Sequence, residues 1–126
     1  MSDIPRVIGI APQLVVPDVV KTAEYYRDSL GFKIIDYFLD PPVYAMVERD
    51  GIQIHFARSD SGEVHTNERL NKRCSDFVIW VPEIDAFYNE ITARGVEIME
   101  GIVKRVYGSR EFVFRDCNGF RVTVGD

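Results

Sequence analysis

His55 and Asp76 are the side chains best suited to chemistry in this sequence. His55 stands in the alternating run Gln53-Ile54-His55-Phe56, and Asp76 opens Asp76-Phe77-Val78-Ile79-Trp80. An imidazole changes charge near neutral pH, so His55 could act as a general base, with Asp76 fixing its orientation. The plainer alternative is that the two hydrogen-bond each other and satisfy two buried polar groups. His65 lies in the polar stretch Ser59-Asp60-Ser61-Gly62-Glu63-Val64-His65 and is the weaker candidate. Cys74 and Cys117 have no metal-binding spacing and read as free thiols in a reducing compartment.

What positions these residues is a repeat. Pro17-Asp18-Val19 returns as Pro82-Glu83-Ile84, an offset of 65, and Gly31-Phe32-Lys33-Ile34 returns as Gly95-Val96-Glu97-Ile98, an offset of 64. Arg49-Asp50 matches Arg115-Asp116 at 66, and Gly51-Ile52-Gln53-Ile54 matches Gly119-Phe120-Arg121-Val122 at 68. The second turn, Asp116-Cys117-Asn118-Gly119, is longer by two residues. Each copy reads strand, helix, strand, strand, strand.

In the first copy the strand covers about 8–16. The helix covers about 18–30 and carries Val19, Ala23, Tyr26 and Leu30 on one face. Asp18 is a good N-cap and Gly31 a good left-handed C-terminal residue. Strands follow at about 32–39, 43–49 and 52–58, with a hairpin signal at Asp50-Gly51. The second copy has a strand at about 74–81, a helix at about 83–94 and strands at about 96–104, 110–116 and 119–125. The fold class is α+β: one domain over 1–126, made of two tandem βαβββ modules, about 8–58 and 74–125. A polar, solvated connector, 59–73, joins them.

Alternation then assigns faces. Leu14, Val16, Ile52, Ile54 and Phe56 should meet the first helix, and Ile79, Val81, Phe120, Val122 and Val124 the second. The opposite faces receive Ala11, Gln13, Val15, Gln53 and His55 in one module, and Asp76, Val78, Trp80, Arg121 and Thr123 in the other. One Trp with a few polar anchors on a concave surface has the composition of a small-molecule pocket. Gln13, Gln53, His55, Asp76, Trp80, Arg121 and Thr123 are therefore the candidate ligand contacts. An arginine in such a cup needs a carboxylate partner, and salt-bridging is the plainer reading of Arg121.

The chain has 126 residues, 46% apolar and 28% charged, with a formal net charge of −5. That length buries a core without metal or disulfides. No basic stripe is present, so nucleic acid is not an expected partner. An acidic balance is compatible with a cationic ligand. No apolar run reaches the roughly 20 residues that span a bilayer. The start, Met1-Ser2-Asp3-Ile4-Pro5-Arg6, lacks the apolar segment of a secretory signal, and cytoplasmic residence is expected.

"VVPDVVKTAEYYRDSLGF", "RDGIQIHF", "DFVIWVPEIDAFYNEITARGV" and "YGSREFVFRDCNGFRVTV" together resemble the vicinal oxygen chelate superfamily, over about 8–125. This is the group of glyoxalase I, extradiol dioxygenases and the fosfomycin- and bleomycin-resistance proteins. The resemblance implies curved mixed sheets around a cavity. It also implies a divalent metal, in catalytic members, bound from the first and last strands of each module. Those positions here are Ala11, His55, Asp76 and Thr123. Alanine cannot ligate and a neutral threonine hydroxyl ligates poorly, so half the set is missing. The expectation is a metal-free protein. The alternative cofactor is a divalent metal held weakly by Gln13, His55 and Asp76.

Three functions follow from the resemblance and the residues. The first is metal-free sequestration of a small, aromatic or cationic molecule, as in bleomycin-resistance proteins. The second is a metal-dependent lyase, isomerase or dioxygenase with an altered ligand set. The third is a metal-free enzyme using His55 as base. Free sheet edges and the habit of relatives predict a homodimer.

Overall fold

A computed structural model describes residues 3–126. Met1 and Ser2, the start of the segment read above for a leader, lie outside the described residues. In chain order the elements are β1 (Gln13–Val16), α1 (Val19–Leu30), β2 (Lys33–Phe38), β3 (Tyr44–Arg49), β4 (Ile52–Arg58), a 3-10 turn (Asn67–Arg69), β5 (Phe77–Trp80), α2 (Ile84–Ala93), β6 (Glu97–Lys104), β7 (Arg110–Arg115) and β8 (Arg121–Gly125). They form two four-stranded mixed sheets, ordered β1-β4-β3-β2 and β5-β8-β7-β6. In each, the first strand lies parallel to the last and the other pairs are antiparallel. This is the tandem βαβββ plan.

Local chemistry explains the boundaries of α1. The Asp18 carboxylate accepts from the backbone N–H of Val20 and Lys21 at 3.1 and 3.0 Å, satisfying two otherwise orphaned donors. Gly31 ends the helix at φ 73, where a side chain would be strained. Asp50 and Gly51 both take positive φ, 52 and 82, which lets the β3–β4 hairpin close in two residues. Glu83, the counterpart of Asp18, makes no side-chain cap on α2.

The core joins both modules. Tyr26, Leu30, Phe56, Phe112, Phe114, Ile91 and Val122 are fully buried within one apolar cluster. Leu14, Val16, Ile54 and Phe56 face α1 as alternation predicts, but Ile52, at the strand end, is 63% exposed. The hydrogen bonds between modules run from helix to hairpin turn. The Tyr26 hydroxyl donates to Asp116 Oδ2 at 2.6 Å, Asn118 Nδ2 donates to the Thr22 hydroxyl at 2.9 Å, and Arg49 forks onto Glu90 with both contacts at 2.8 Å.

Two sequence expectations need correction. The first strand begins at Gln13, not near residue 8. Pro12 has no N–H to give a ladder, and ahead of it Val7, Ile8 and Ile10 are exposed at 90, 91 and 94%. The second correction concerns the Arg-Asp match. Arg49 lies opposite Ile52, whereas Arg115 lies opposite Arg121, because the longer second turn shifts the register by one. A one-residue shift swaps faces. Arg49 therefore turns toward α2, and Arg115 lies on the open face; its structural counterpart is Glu48, opposite Gln53.

Candidate functional site

The open face of the first sheet carries a continuous hydrogen-bonded chain. Gln13 Nε2 donates to the Tyr44 hydroxyl at 2.8 Å. Having accepted there, the hydroxyl gives its own proton to His55 Nδ1, 2.7 Å away. The remaining ring proton is then on Nε2, which donates to Gln53 Oε1 at 2.8 Å. The Tyr44 and His55 rings also meet edge to face, with centroids 5.5 Å apart. This chain sets the imidazole tautomer and satisfies both ring nitrogens. Gln13, Gln53 and His55 are brought together; Tyr44, which the sequence reading missed, is the link between them. Its parity on β3 was the available signal, since it shares a face with His55 across the β3–β4 pairing.

Asp76 is not part of that chain, which corrects the expectation that it orients His55. Asp76 Oδ1 accepts from the Asn67 backbone at 2.8 Å and Oδ2 from the Arg121 backbone at 2.9 Å. It fastens the connector to β8. Thr123 pairs its hydroxyl with that of Ser75 at 2.6 Å. His65 sits in the exposed connector, 3.2 Å from Glu63.

These placements do not fit a divalent metal. Ala11 has no donor, both imidazole nitrogens are engaged, and each oxygen of Asp76 already takes a backbone N–H. Gln13 and His55 share a hydrogen-bonded chain through Tyr44, and Asp76 stands outside it, held by the backbone of Asn67 and Arg121. Among the described residues, no group of three His, Cys, Asp or Glu side chains could hold a metal ion.

Trp80 occupies a different part of the molecule. It lies directly opposite Gly125 on β8. A Cβ added to Gly125 would stand 2.6 Å from Trp80 Cζ3 and 3.0 Å from Cε3, so the indole rests on bare backbone. The residue as a whole is 65% exposed. It borders a cleft of about 740 Å³ between the modules, whose walls include Ile10, Ile52, Val78 and Phe87, with Arg49 and Glu90 together at one side. Of the candidate ligand contacts, Trp80 alone lines this cleft. Gln13 and Asp76 meet instead on a second hollow of about 540 Å³, beside His65.

The open face of the second sheet places two arginines where the first places Glu48 and Gln53. Arg115 and Arg121 stand opposite each other on β7 and β8. Glu68, from the connector, accepts from Arg115 Nη1 at 2.9 Å and lies 3.5 Å from Arg121 Nη1. Those guanidinium groups, Arg115 first, hold the Glu68 carboxyl below its ordinary range. The connector is therefore tied to this face and is not simply solvated.

Two more groups report on reactivity. Cys117 is exposed at its surface, but desolvation by the packing around it, with the neighbouring Asp116 charge, pushes the thiol up to about 11, so it is a poor nucleophile at neutral pH. Burial also raises Asp116, although its hydrogen bonds from Tyr26 and the backbone of Asn118 and Phe120 oppose the change.

The sequence profile described as glyoxalase/bleomycin resistance protein/dioxygenase superfamily matches residues 7–124. The chain belongs to that superfamily. No curated protein matches it. Solved structures agree on the superfamily fold. TioX from Micromonospora sp. ML1 is 17% identical with a TM-score of 0.76, covering 94% of this chain and 98% of that one. A glyoxalase-related enzyme from Clostridium phytofermentans is 15% identical with a TM-score of 0.76, covering 98% of each chain. The bleomycin-binding protein from bleomycin-producing Streptomyces verticillus, solved with copper(II)-bleomycin, is 26% identical with a TM-score of 0.71, covering 96% and 97%. Superfamily membership alone leaves binder and enzyme open, since one scaffold hosts both. No helix among the described residues is long and apolar enough to cross a membrane.

Proposed function

We propose that this superfamily member binds a small aromatic molecule without a metal and releases it unchanged. The observation that carries the reading is the engagement of both His55 nitrogens by Tyr44 and Gln53, which leaves the imidazole neither a free ligand lone pair nor an unpaired base. Trp80 supplies the recognition surface: an exposed indole seated on Gly125 beside an apolar cleft offers one face for stacking. The bleomycin-binding relative was solved with copper(II)-bleomycin, and binding of a small molecule is what we carry over to this chain. Gln13, Gln53, Arg121 and Thr123 provide polar contacts around the open faces.

The binding unit is a homodimer. Within one chain the polar chain on the first sheet and the Trp80 cleft on the second module are separate features. The segment before Pro12 presents Val7, Ile8 and Ile10 to solvent, and β1 and β5 are unpaired sheet edges. Covering such apolar surface and such edges is what a second copy does.

The test is a fluorescence screen of chelator-treated protein against aromatic compounds, read at its single tryptophan. Saturable quenching by at least one compound, recovered unchanged by mass spectrometry, is the expected result. Quenching that requires added metal, or turnover of the compound, would overturn the reading.

A further inference from the structure

Two arginines directly opposite each other on one sheet face repel, and a fold that keeps them there needs an anion between them. Arg115 and Arg121 are such a pair, and the anion is Glu68. The fit is incomplete. Glu68 meets Arg115 at 2.9 Å but Arg121 only at 3.5 Å, and Arg121 Nη1 turns to the Lys72 carbonyl at 3.0 Å. Arg121 Nε is buried with no hydrogen-bond partner. A buried, unsatisfied donor on a cation carries a free-energy penalty that a better-placed oxygen would remove.

Glu68 is also lightly held. It lies in the 3-10 turn Asn67–Arg69, none of whose residues is buried, and the next residue, Leu70, is 91% exposed. The turn is anchored by polar contacts, Asn67 to Asp76 and to the Ser75 carbonyl. A segment with few buried apolar contacts opens locally at low cost.

We propose that Arg115 and Arg121 form a carboxylate-binding site whose resident occupant is the chain's own Glu68, and that a carboxylate-bearing ligand binds by displacing it. The incoming carboxylate satisfies Arg121 Nε and takes over the charge that Glu68 now balances. The connector, 59–73, is released as the ligand binds, so occupancy of this face is coupled to the order of the segment joining the modules. On the same face, Trp80 lies opposite Gly125, about 13 Å along the strand from the Arg121 position, so a ligand reaching both is an acid whose ring and carboxylate are held apart by a spacer. The proposal rests on the small-molecule reading above, narrows its ligand class from aromatic to aromatic and anionic, and replaces the cationic ligand expected from the net charge.

Sodium benzoate, with benzamide as the neutral control, tests this on wild-type and Glu68→Gln protein at constant ionic strength. The Arg121 Nε–H resonance reports the contact directly. It is expected to move with benzoate and not with benzamide, with at least tenfold higher affinity in Glu68→Gln than in wild type. Adding Arg121→Met to Glu68→Gln should abolish the gain. In unmodified protein, saturating benzoate should speed amide exchange in 64–70 at least tenfold, a readout independent of how the variants fold. Equal benzoate affinity in the two proteins, no movement of Arg121, or unchanged exchange in the connector overturns the site. Trp80 quenching by benzamide separates the two readings. If it persists while Arg121 is silent, the carboxylate site is wrong and aromatic binding stands.

Discussion

The open faces of the two sheets follow one backbone plan and carry opposite chemistry. On the first, the cross-strand positions at the turn end are Glu48 and Gln53, and Gln53 feeds a neutral chain through His55 and Tyr44 to Gln13. On the second, the equivalent positions are Arg115 and Arg121, held together by a carboxylate borrowed from the connector. Most helix-facing positions of both sheets are apolar and buried, with the strand-end residues Arg49 and Ile52 excepted. The duplication thus keeps one side of each sheet for folding, because most residues there fill the shared core, and leaves the other side free to differ. The ties between modules differ in the same way. Arg49 and Glu90 make a charged, partly exposed fork, while Tyr26 and Asp116 make a buried hydrogen bond.

Removing the buried tie should cost most. Tyr26→Phe leaves Asp116 Oδ2 without its side-chain donor inside the protein, and a loss of about 2 kcal/mol is expected by chemical denaturation. Arg49→Met, which breaks the partly exposed fork, should cost about 1 kcal/mol, since solvent still screens part of that pair. A reversed order would mean that the ionic tie, and not the buried one, joins the modules.

The two ties should also respond to acid with opposite sign. The hydrogen bond from Arg49 lowers Glu90 below its ordinary 4.5, so its contribution is complete above that value and is lost as pH falls through the folded pKa. Burial raises Asp116 above 3.8, so the folded state holds that proton more strongly, and stability falls as pH rises from 3.8 through the folded pKa. Stability measured from about pH 6 to pH 3 should therefore fall less steeply in Glu90→Gln and more steeply in Asp116→Asn. Parallel curves would remove the distinction.

Gly125→Val should lift the indole from its seat. The cost to stability should be about 1 kcal/mol, the lower end for an overpacked site, because Trp80 is largely exposed and can swing away. Its emission should shift and its quenching by aromatic compounds should weaken at least tenfold. Unchanged quenching would place the stacking surface elsewhere. Tyr44→Phe should cost least, about 0.5 kcal/mol. It should change His55 from one tautomer, with the proton on Nε2, to a mixture, visible in the imidazole nitrogen shifts. A single unaltered tautomer would show that Tyr44 does not set it.

Much of this was legible in the sequence. The repeat carried the eight strands, the two helices and the caps at Asp18 and Gly31, because core-facing periodicity is strict in both copies. Strand parity placed Trp80 opposite the helix-facing residues and grouped Gln13, Gln53 and His55. Register across the second turn was not legible: matching Arg49-Asp50 to Arg115-Asp116 aligned letters, while the second hairpin closes at Arg115 and Arg121, one residue out of step with Arg49 and Ile52, which puts Arg115 on the other face. Glu68 was hidden for a different reason. A polar segment without period shows nothing of which of its charges will find a partner, and the partner here lies on strands nearly fifty residues away. Asp76 misled because a carboxylate near a cup reads as a ligand, while two backbone N–H groups claim it.

Native mass spectrometry of freshly purified, chelator-free protein tests the central claim most directly, since it reports metal content and assembly in one spectrum. The expected species has twice the 14.5 kDa chain mass and no divalent metal, unchanged after chelator treatment. One tightly held metal ion per chain, lost on chelation together with the Tyr44-linked tautomer of His55, would contradict it.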